Sequence, residues 1–244
     1  MKILGIDIGG SAVKGAPVDT QTGRLLAERF RIETPTRLTP RAMARTVAAV
    51  VAHFKWRGPV GIGFPGVVEG STIRTAANLH PGFIGLDGAK LFRAATGRRV
   101  SLINDADAAG LAELRFGAGR RRKGTVLVLT LGTGVGSALF CDGIRWPNSE
   151  LGHLPYKGRS FEKFVSAAVR KRKGLTWEEW VRRLNLYLHT VETVLWPGLI
   201  IIGGGVSSKH EKFFSLLRTR AHIVPAQMGN AAGIVGAALS GAEK

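Results

Sequence analysis

Short runs of Val, Ile and Leu alternate along the chain with segments whose apolar residues recur at helical spacing, the pattern of an α/β protein. The opening predicts three successive strands, over 2–7, 12–17 and 24–31, joined by turns at Gly9-Gly10 and 20–23. Thr39 has the character of an N-cap and Pro40 that of a first helical residue, beginning a helix to about 54. A buried strand over 60–64 closes at Pro65-Gly66, and a helix over 87–96, a strand over 100–103 and a helix over 106–116 follow. The Gly- and Arg-rich stretch 117–124 is the expected boundary between lobes 1–117 and 118–244. Beyond it the pattern begins again, with strands over 125–130, 135–140 and 143–146. Helices over 161–172 and 177–195 come next, then a buried strand over 199–202 that runs into Gly203-Gly204-Gly205. Two last helices, 208–220 and 230–240, complete the reading, and the segment 230–244 is expected to pack back on the first lobe. Three-strand openings with glycine turns in both halves point to a duplicated lobe.

The two glycine turns carry the first chemistry. One is Asp7-Ile8-Gly9-Gly10-Ser11 leading to Lys14, and the other is Leu131-Gly132-Thr133-Gly134-Val135-Gly136. Glycine reaches positive φ and lets backbone N–H groups approach a bound group closely. With Ser and Thr hydroxyls beside them, such amides suit phosphate. Each turn could equally be an ordinary hairpin connection. The first is distinguished by an acid, Asp7, a hydroxyl, Ser11, and a base, Lys14. Neither has the spacing of a P-loop, and the residues after each read as strand, so each is a hairpin clasp and not a helix N-terminus. Two phosphate cradles on two lobes form a phosphotransferase arrangement.

Charge adds a second theme. Lys and Arg number 35 against 17 Asp and Glu, a formal net charge of +18. A field of that sign attracts polyanions, although a basic surface has blander explanations. The densest clusters are Arg120-Arg121-Arg122-Lys123 and Arg170-Lys171-Arg172-Lys173, with pairs at Arg98-Arg99 and Arg182-Arg183. Only Trp177 and Trp180 lie near a cluster, and no helix-turn-helix, zinc-finger or RNA-binding signature occurs, so nucleic acid is not the expected partner. The single cysteine, Cys141, excludes an internal disulfide and a cysteine-cluster metal site. No apolar run approaches the roughly 20 residues of a membrane helix, and the chain enters a strand at Lys2 without room for a signal peptide. A cytoplasmic protein without membrane contact is expected.

The sharpest acid is Asp105, in Ile103-Asn104-Asp105-Ala106, where a buried strand meets a helix. Open α/β sheets place their ligands at that edge. Asp105 there either caps the helix or takes the proton from an attacking hydroxyl during phosphoryl transfer. Asn78, Asn104, Glu150 and His153 are residue types that read sugar hydroxyls, each weak when taken singly.

Together these motifs carry a resemblance. Asp7-Ile8-Gly9-Gly10-Ser11 with Lys14, Gly63-Phe64-Pro65-Gly66, Asn104-Asp105-Ala106, Leu131-Gly132-Thr133-Gly134, Glu150-Leu151-Gly152-His153 and Ile202-Gly203-Gly204-Gly205-Val206 resemble, in order, the sugar kinases of the ROK family. The resemblance implies a two-lobed actin-like (ribonuclease H-like) α/β fold with its active site in a central cleft. It implies Asp105 as catalytic base and Gly66, Asn78, Asn104, Glu150 and His153 around the sugar. Gly9, Gly10, Ser11, Lys14, Thr133, Gly134, Gly204 and Gly205 would surround the donor phosphates, with Asp7 near Mg²⁺. Many members hold zinc in a cysteine-rich loop after the Glu-x-Gly-His motif. The stretch 156–162 here has no cysteine, so no zinc site is expected. With the phosphate strand at its start, the chain is also expected to lack the DNA-binding domain of ROK repressors. Both features, with Leu175-Thr176-Trp177-Glu178-Glu179-Trp180, are similar to the polyphosphate glucokinase branch. That branch implies glucose as acceptor, polyphosphate and/or ATP as donor, and a homodimer. The alternatives are an ATP-dependent kinase of another hexose (mannose, fructose or an N-acetylhexosamine) and a sugar- or polyanion-binding protein without catalysis.

Overall fold

A computed structural model describes residues 1–34, 39–76 and 79–242, and the chain divides into two units, 1–112 with 231–244, and 113–230. The division falls inside a helix, between Ala112 and Glu113, five residues before the expected boundary at 117.

The first unit is built on a sheet of β1 (Lys2–Ile8), β2 (Ala12–Asp19), β3 (Phe30–Glu33), β4 (Val60–Phe64) and β7 (Val100–Asn104). Its order is β3-β2-β1-β4-β7, antiparallel across β3, β2 and β1 and parallel across β1, β4 and β7. Helices α1 (Pro40–His53) and α2 (Gly88–Thr96) and the small hairpin of β5 (Val68–Glu69) and β6 (Thr72–Ile73) fill the connections, and α3 (Asp105–Phe116) leaves β7. Alternate residues of a strand face opposite sides. Leu4, Ile6 and Ile8 of β1 therefore join Met43, Val47 and Val50 of α1 in one core. The other side receives the C-terminal helix, and there glycine is required: a methyl group at Gly5 or Gly61 would overlap the carbonyl oxygens of Ile234 or Ala237.

The second unit repeats the plan. Its strands are β8 (Thr125–Leu131), β9 (Val135–Cys141), β10 (Ile144–Trp146), β13 (Leu199–Gly203) and β14 (His222–Pro225), in the order β10-β9-β8-β13-β14 with the same directions. Between β10 and β13 lie β11 (Pro155–Tyr156), β12 (Arg159–Ser160), α4 (Glu162–Val165), α5 (Ala167–Arg172) and α6 (Trp177–Leu195). Helix α6 begins with a capping box of Thr176 and Glu179 and buries Trp180, Leu184, Tyr187, Leu188 and Val191. The last helix, α7 (Ala232–Ser240), returns to the first unit and packs on β1 and β4. No helix among the described residues is long and apolar enough to cross a membrane.

Three expected elements differ. The strand expected over 24–31 is continuous only from Phe30: Leu25 makes an isolated antiparallel bridge to Val18, Leu26 is 46% exposed, and the ladder to β2 resumes where Phe30 and Ile32 pack on the α1 core. The helix expected over 161–172 is two helices, because Ser166 is extended and spends its hydroxyl capping α5 at Val169 N. The helix expected over 208–220 is a pair of 3₁₀ turns, Gly205–Lys212 and Phe214–Leu216. There Ser207, Ser208 and His210 bond nearby backbone carbonyls, and Asn185 holds Leu216 O and Arg218 N.

Candidate active site

In the first unit the site residues gather at the C-terminal ends of the parallel strands. Register places Asp7 of β1 directly opposite Lys14 of β2, an opposite-charge cross-strand pair. The turn between them is closed by its own bond, Gly9 N donating to Ala12 O at 3.0 Å, and stapled from outside by Thr34, whose Oγ1 donates to Gly9 O at 2.8 Å and N to Ser11 O at 3.2 Å. Ser11 and Gly10 are exposed at its tip. Neither Gly9 nor Gly10 uses positive φ, contrary to the reading of glycine as a conformational need there. Gly10 leaves open space, since a Cβ there would meet nothing within 4 Å, whereas one on Gly9 would stand 3.0 Å from Ala12 O.

Asp7 is held in low-dielectric surroundings, and burial raises its pKa, with the Lys14 ammonium pulling the other way. A methyl group at Gly233 would stand 2.8 Å from the Asp7 carboxyl carbon, so α7 walls that carboxylate in. A raised carboxyl pKa has a definite sign in stability. The protonated form is the one the fold accommodates, and the contribution is lost as pH rises through the raised pKa. Asp7→Asn should therefore unfold at higher temperature than the parent near neutral pH, without ligands. The gap should close as the pH falls below the ordinary carboxyl range. A constant gap across that range would contradict the assignment.

Asn104 and Asp105 divide two jobs. Asn104 is 4% exposed, and its Oδ1 accepts from Ala106 N at 2.9 Å and Asp107 N at 3.0 Å, so it caps α3. Its Nδ2 donates to Gly66 O at 3.1 Å, tying the β7–α3 junction to the turn after β4. Of the two readings of Asp105, capping thus falls mainly to its neighbour. Asp105 Oδ1 accepts from the adjacent Ala106 N at 2.8 Å. Gly66 is packed against Thr75 O, and Val67 N donates to Thr75 Oγ1 at 2.9 Å.

In the second unit, the turn after β8 lies beside the end of β13. A Cβ on Gly204, which has φ +80°, would stand 2.5 Å from Leu131 O, so only glycine fits there, whereas Gly132 and Gly205 open onto free space. Glu162, 6% exposed, backs this turn: its Oε2 accepts from Val135 N at 3.3 Å and fills the place a side chain on Gly134 would take. Ala168 N donates to Gly132 O at 3.0 Å, and Thr133 is left exposed at the tip.

Glu150 and His153 meet at the 3₁₀ turn Leu151–His153, with His153 Nε2 3.3 Å from Glu150 Oε2. Ser137 of β9 fixes that turn by accepting from Leu151 N at 2.9 Å and donating to Ser149 O. Gly152 is needed because a methyl group would overlap Val135 O. The stretch after it is closed by rings: Tyr156 stacks on Phe161 at 4.3 Å and tilts against Phe164 at 4.9 Å. Among the described residues no three His, Cys, Asp or Glu side chains group as metal ligands.

Each unit therefore assembles part of the sequence-level set: Asp7, Gly9, Gly10, Ser11, Lys14, Gly66, Asn104 and Asp105 in the first, and Thr133, Gly134, Glu150, His153, Gly204 and Gly205 in the second. Asn78 lies outside the described residues. Glu162, Ser137, Thr34 and Gly233 escaped sequence reasoning, because each acts on a partner 12 or more residues away that no local motif announces.

The ROK family model matches residues 3–165, and the chain belongs to the ROK family. Its architecture is accordingly the two-lobed actin-like fold of the family's sugar kinases. It is 45% identical to the polyphosphate glucokinase of Mycobacterium tuberculosis (strain CDC 1551 / Oshkosh) over 97% of this chain and 90% of that one. With the inorganic polyphosphate/ATP-glucomannokinase of Arthrobacter sp. strain KM it shares 48% identity and a TM-score of 0.96, covering 99% of this chain and 98% of that one. A ROK family glucokinase from Streptomyces griseus, solved with glucose and AMPPNP, matches with a TM-score of 0.86 at 24% identity over the full length of both chains, a likeness of fold.

Proposed function

We infer that the chain is a glucokinase that transfers a phosphoryl group to the 6-hydroxyl of glucose from inorganic polyphosphate, ATP or both. The relatives above support the activity. The observation that carries the chemistry is the division of labour at β7: Asn104 caps α3 and leaves Asp105 at the ligand edge of the sheet.

In the proposed mechanism Asp105 accepts the proton of the sugar 6-hydroxyl as that oxygen attacks the terminal donor phosphorus. The leaving phosphate keeps the bridging oxygen. Asn104, Glu150, His153, Gly66 and Asn78 are assigned to the remaining sugar hydroxyls. The turn backbone at Gly9, Gly10, Thr133, Gly134, Gly204 and Gly205, the Ser11 hydroxyl and the Lys14 ammonium are assigned to donor phosphates. Their work is positioning and charge stabilisation, the larger share of catalysis in phosphoryl transfer. Asp7 fits a Mg²⁺ bound through one carboxylate, waters and donor phosphates: it is a single acid, half-enclosed, with phosphate-suited amides next in the chain. When bound, Mg²⁺ neutralises charge on the transferred group. The basic runs Arg120–Lys123 and Arg170–Lys173 are proposed to extend the path of a long donor, although Arg170 is also stacked 3.6 Å over Trp177. A homodimer in the cytoplasm, without zinc, completes the reading.

The acceptor position has a direct test. 6-Deoxyglucose should compete with glucose and yield no sugar phosphate, whereas mannose, present in the Arthrobacter enzyme's name, is tested beside it as a second acceptor. Phosphorylation of 6-deoxyglucose would overturn the assignment to the 6-hydroxyl.

A further inference from the structure

We propose that the first unit carries a second anion site, at the sheet edge opposite Asp7 and Asp105, which takes a distal segment of a long phosphate-chain donor. The inference rests on polyphosphate as a donor. Because β1, β4 and β7 run parallel, their C-terminal ends carry Asp7, Pro65-Gly66 and Asn104-Asp105, while the residues preceding them collect at the other edge. At that edge Arg57, Arg98 and Arg99, with Met1, Gly58, Pro59 and Gly97, line a cavity of about 380 Å³; the Met1 ammonium faces Asp19 at 4.0 Å.

The arginines are set on fixed backbone. Val60 N donates to Arg99 O at 2.9 Å, Leu4 N to Pro59 O at 3.2 Å, and Trp56 Nε1 to Pro59 O at 2.9 Å. Gly97, at φ +65°, ends α2 and turns the chain directly into Arg98 and Arg99. No carboxylate lines the cavity, and none of the three guanidinium groups has an ion pair among the described residues. Arg98 is half-buried, and its Nε is enclosed without a hydrogen-bond partner. Three uncompensated guanidinium groups in one concavity, one of them partly desolvated, favour an anion with several acceptor oxygens close together. A phosphate chain supplies such oxygens at every unit. No aromatic ring lines the cavity, so nothing there stacks a base, which favours an inorganic chain over a nucleic acid.

The edges are separated by the length of a five-residue strand, about 16 Å at roughly 3.3 Å per residue. A triphosphate at Asp105 is too short to reach the arginines, whereas a chain of tens of phosphates can occupy both edges. The site therefore distinguishes donors by length.

The test uses the full chain, the triple variant Arg57→Gln/Arg98→Gln/Arg99→Gln, and the double variant Arg57→Gln/Arg99→Gln, which keeps the half-buried Arg98. Equilibrium binding of long-chain polyphosphate and of tripolyphosphate is measured at several salt concentrations, beside turnover with ATP. The triple variant should bind the long chain roughly tenfold more weakly at low salt, and its log–log salt slope should flatten by about two, from three lost charges at about 0.7 each. The double variant should fall between it and the parent. Tripolyphosphate affinity and ATP turnover should stay at parental values in both. Unchanged long-chain affinity, or an equal loss for the triphosphate, would overturn the site. Loss of single-stranded DNA binding with polyphosphate binding intact would also overturn it. A parent chain that turns over ATP but neither binds nor uses polyphosphate would instead refute the donor reading on which the site depends.

Discussion

Asp105→Asn should lower kcat with either donor by about 10²–10⁴-fold, the range expected when a general base is removed from proton transfer. That range corresponds to about 2.7–5.4 kcal/mol of barrier. The glucose KM should change by far less, because the asparagine keeps the shape and one acceptor oxygen of the acid. The fold should persist, since Asn104 supplies the cap of α3 through Ala106 N and Asp107 N, and Asp107 remains an acid in the first turn. Steady-state kinetics and the thermal midpoint, measured on one preparation, separate the outcomes. A variant that keeps its turnover removes Asp105 from the chemistry, and one that unfolds makes the residue structural.

The largest effect on stability is expected at Gly236. A methyl group there would overlap the Ala108 carbonyl oxygen, a backbone atom of α3 that cannot step aside as a side-chain tip would. Gly61 stands in the same relation to Ala237 O across β4 and α7. Gly236→Ala should therefore cost roughly 3 kcal/mol or more, at the upper end of overpacking, and lower the urea midpoint accordingly. Gly10→Ala is the informative contrast. Its Cβ would meet nothing within 4 Å and its φ is not positive, so stability should move by less than about 0.5 kcal/mol. Donor KM should rise, however, because the methyl group occupies the space over the turn. Equal destabilisation of the two variants would contradict the reading of α7 as a helix docked by backbone contact and of Gly10 as an open cradle.

Much of this was legible along the chain. Runs such as Leu199–Gly203 and Val60–Phe64 are buried throughout and bounded by glycine or proline, so hydrophobicity alone marks them as strands. Caps with a local mechanism, at Thr39, Asp87 and Thr176, fall where side-chain chemistry puts them. The parts that sequence obscures depend on long-range partners. β14 is a four-residue edge strand whose pairing with β13 has no local signature. The breaks at Ser166 and across the two 3₁₀ turns arise where hydroxyl, imidazole and amide side chains compete for backbone groups. Within the site, residue types at Asp7, Lys14 and Asp105 announce chemistry, and the register of β1 on β2 then explains why Asp7 and Lys14 meet. Glu162 behind Gly134 and Gly233 beside Asp7 are visible only in three dimensions, because what they do is exclude a side chain or hold an amide. The meaning of the glycines also shifted: Gly10 and Gly132 serve by leaving space, and Gly204 alone among the cradle glycines needs positive φ.

The central claim is phosphoryl transfer from a polyphosphate or nucleotide donor to the glucose 6-hydroxyl. The most direct measurement is ³¹P NMR of the purified chain with glucose and Mg²⁺, with long-chain polyphosphate and ATP supplied in separate reactions. The account predicts a glucose 6-phosphate resonance that grows as the terminal phosphates of at least one donor decline, and that is absent without protein. No sugar phosphate from either donor, under conditions where the chain remains folded, would contradict it.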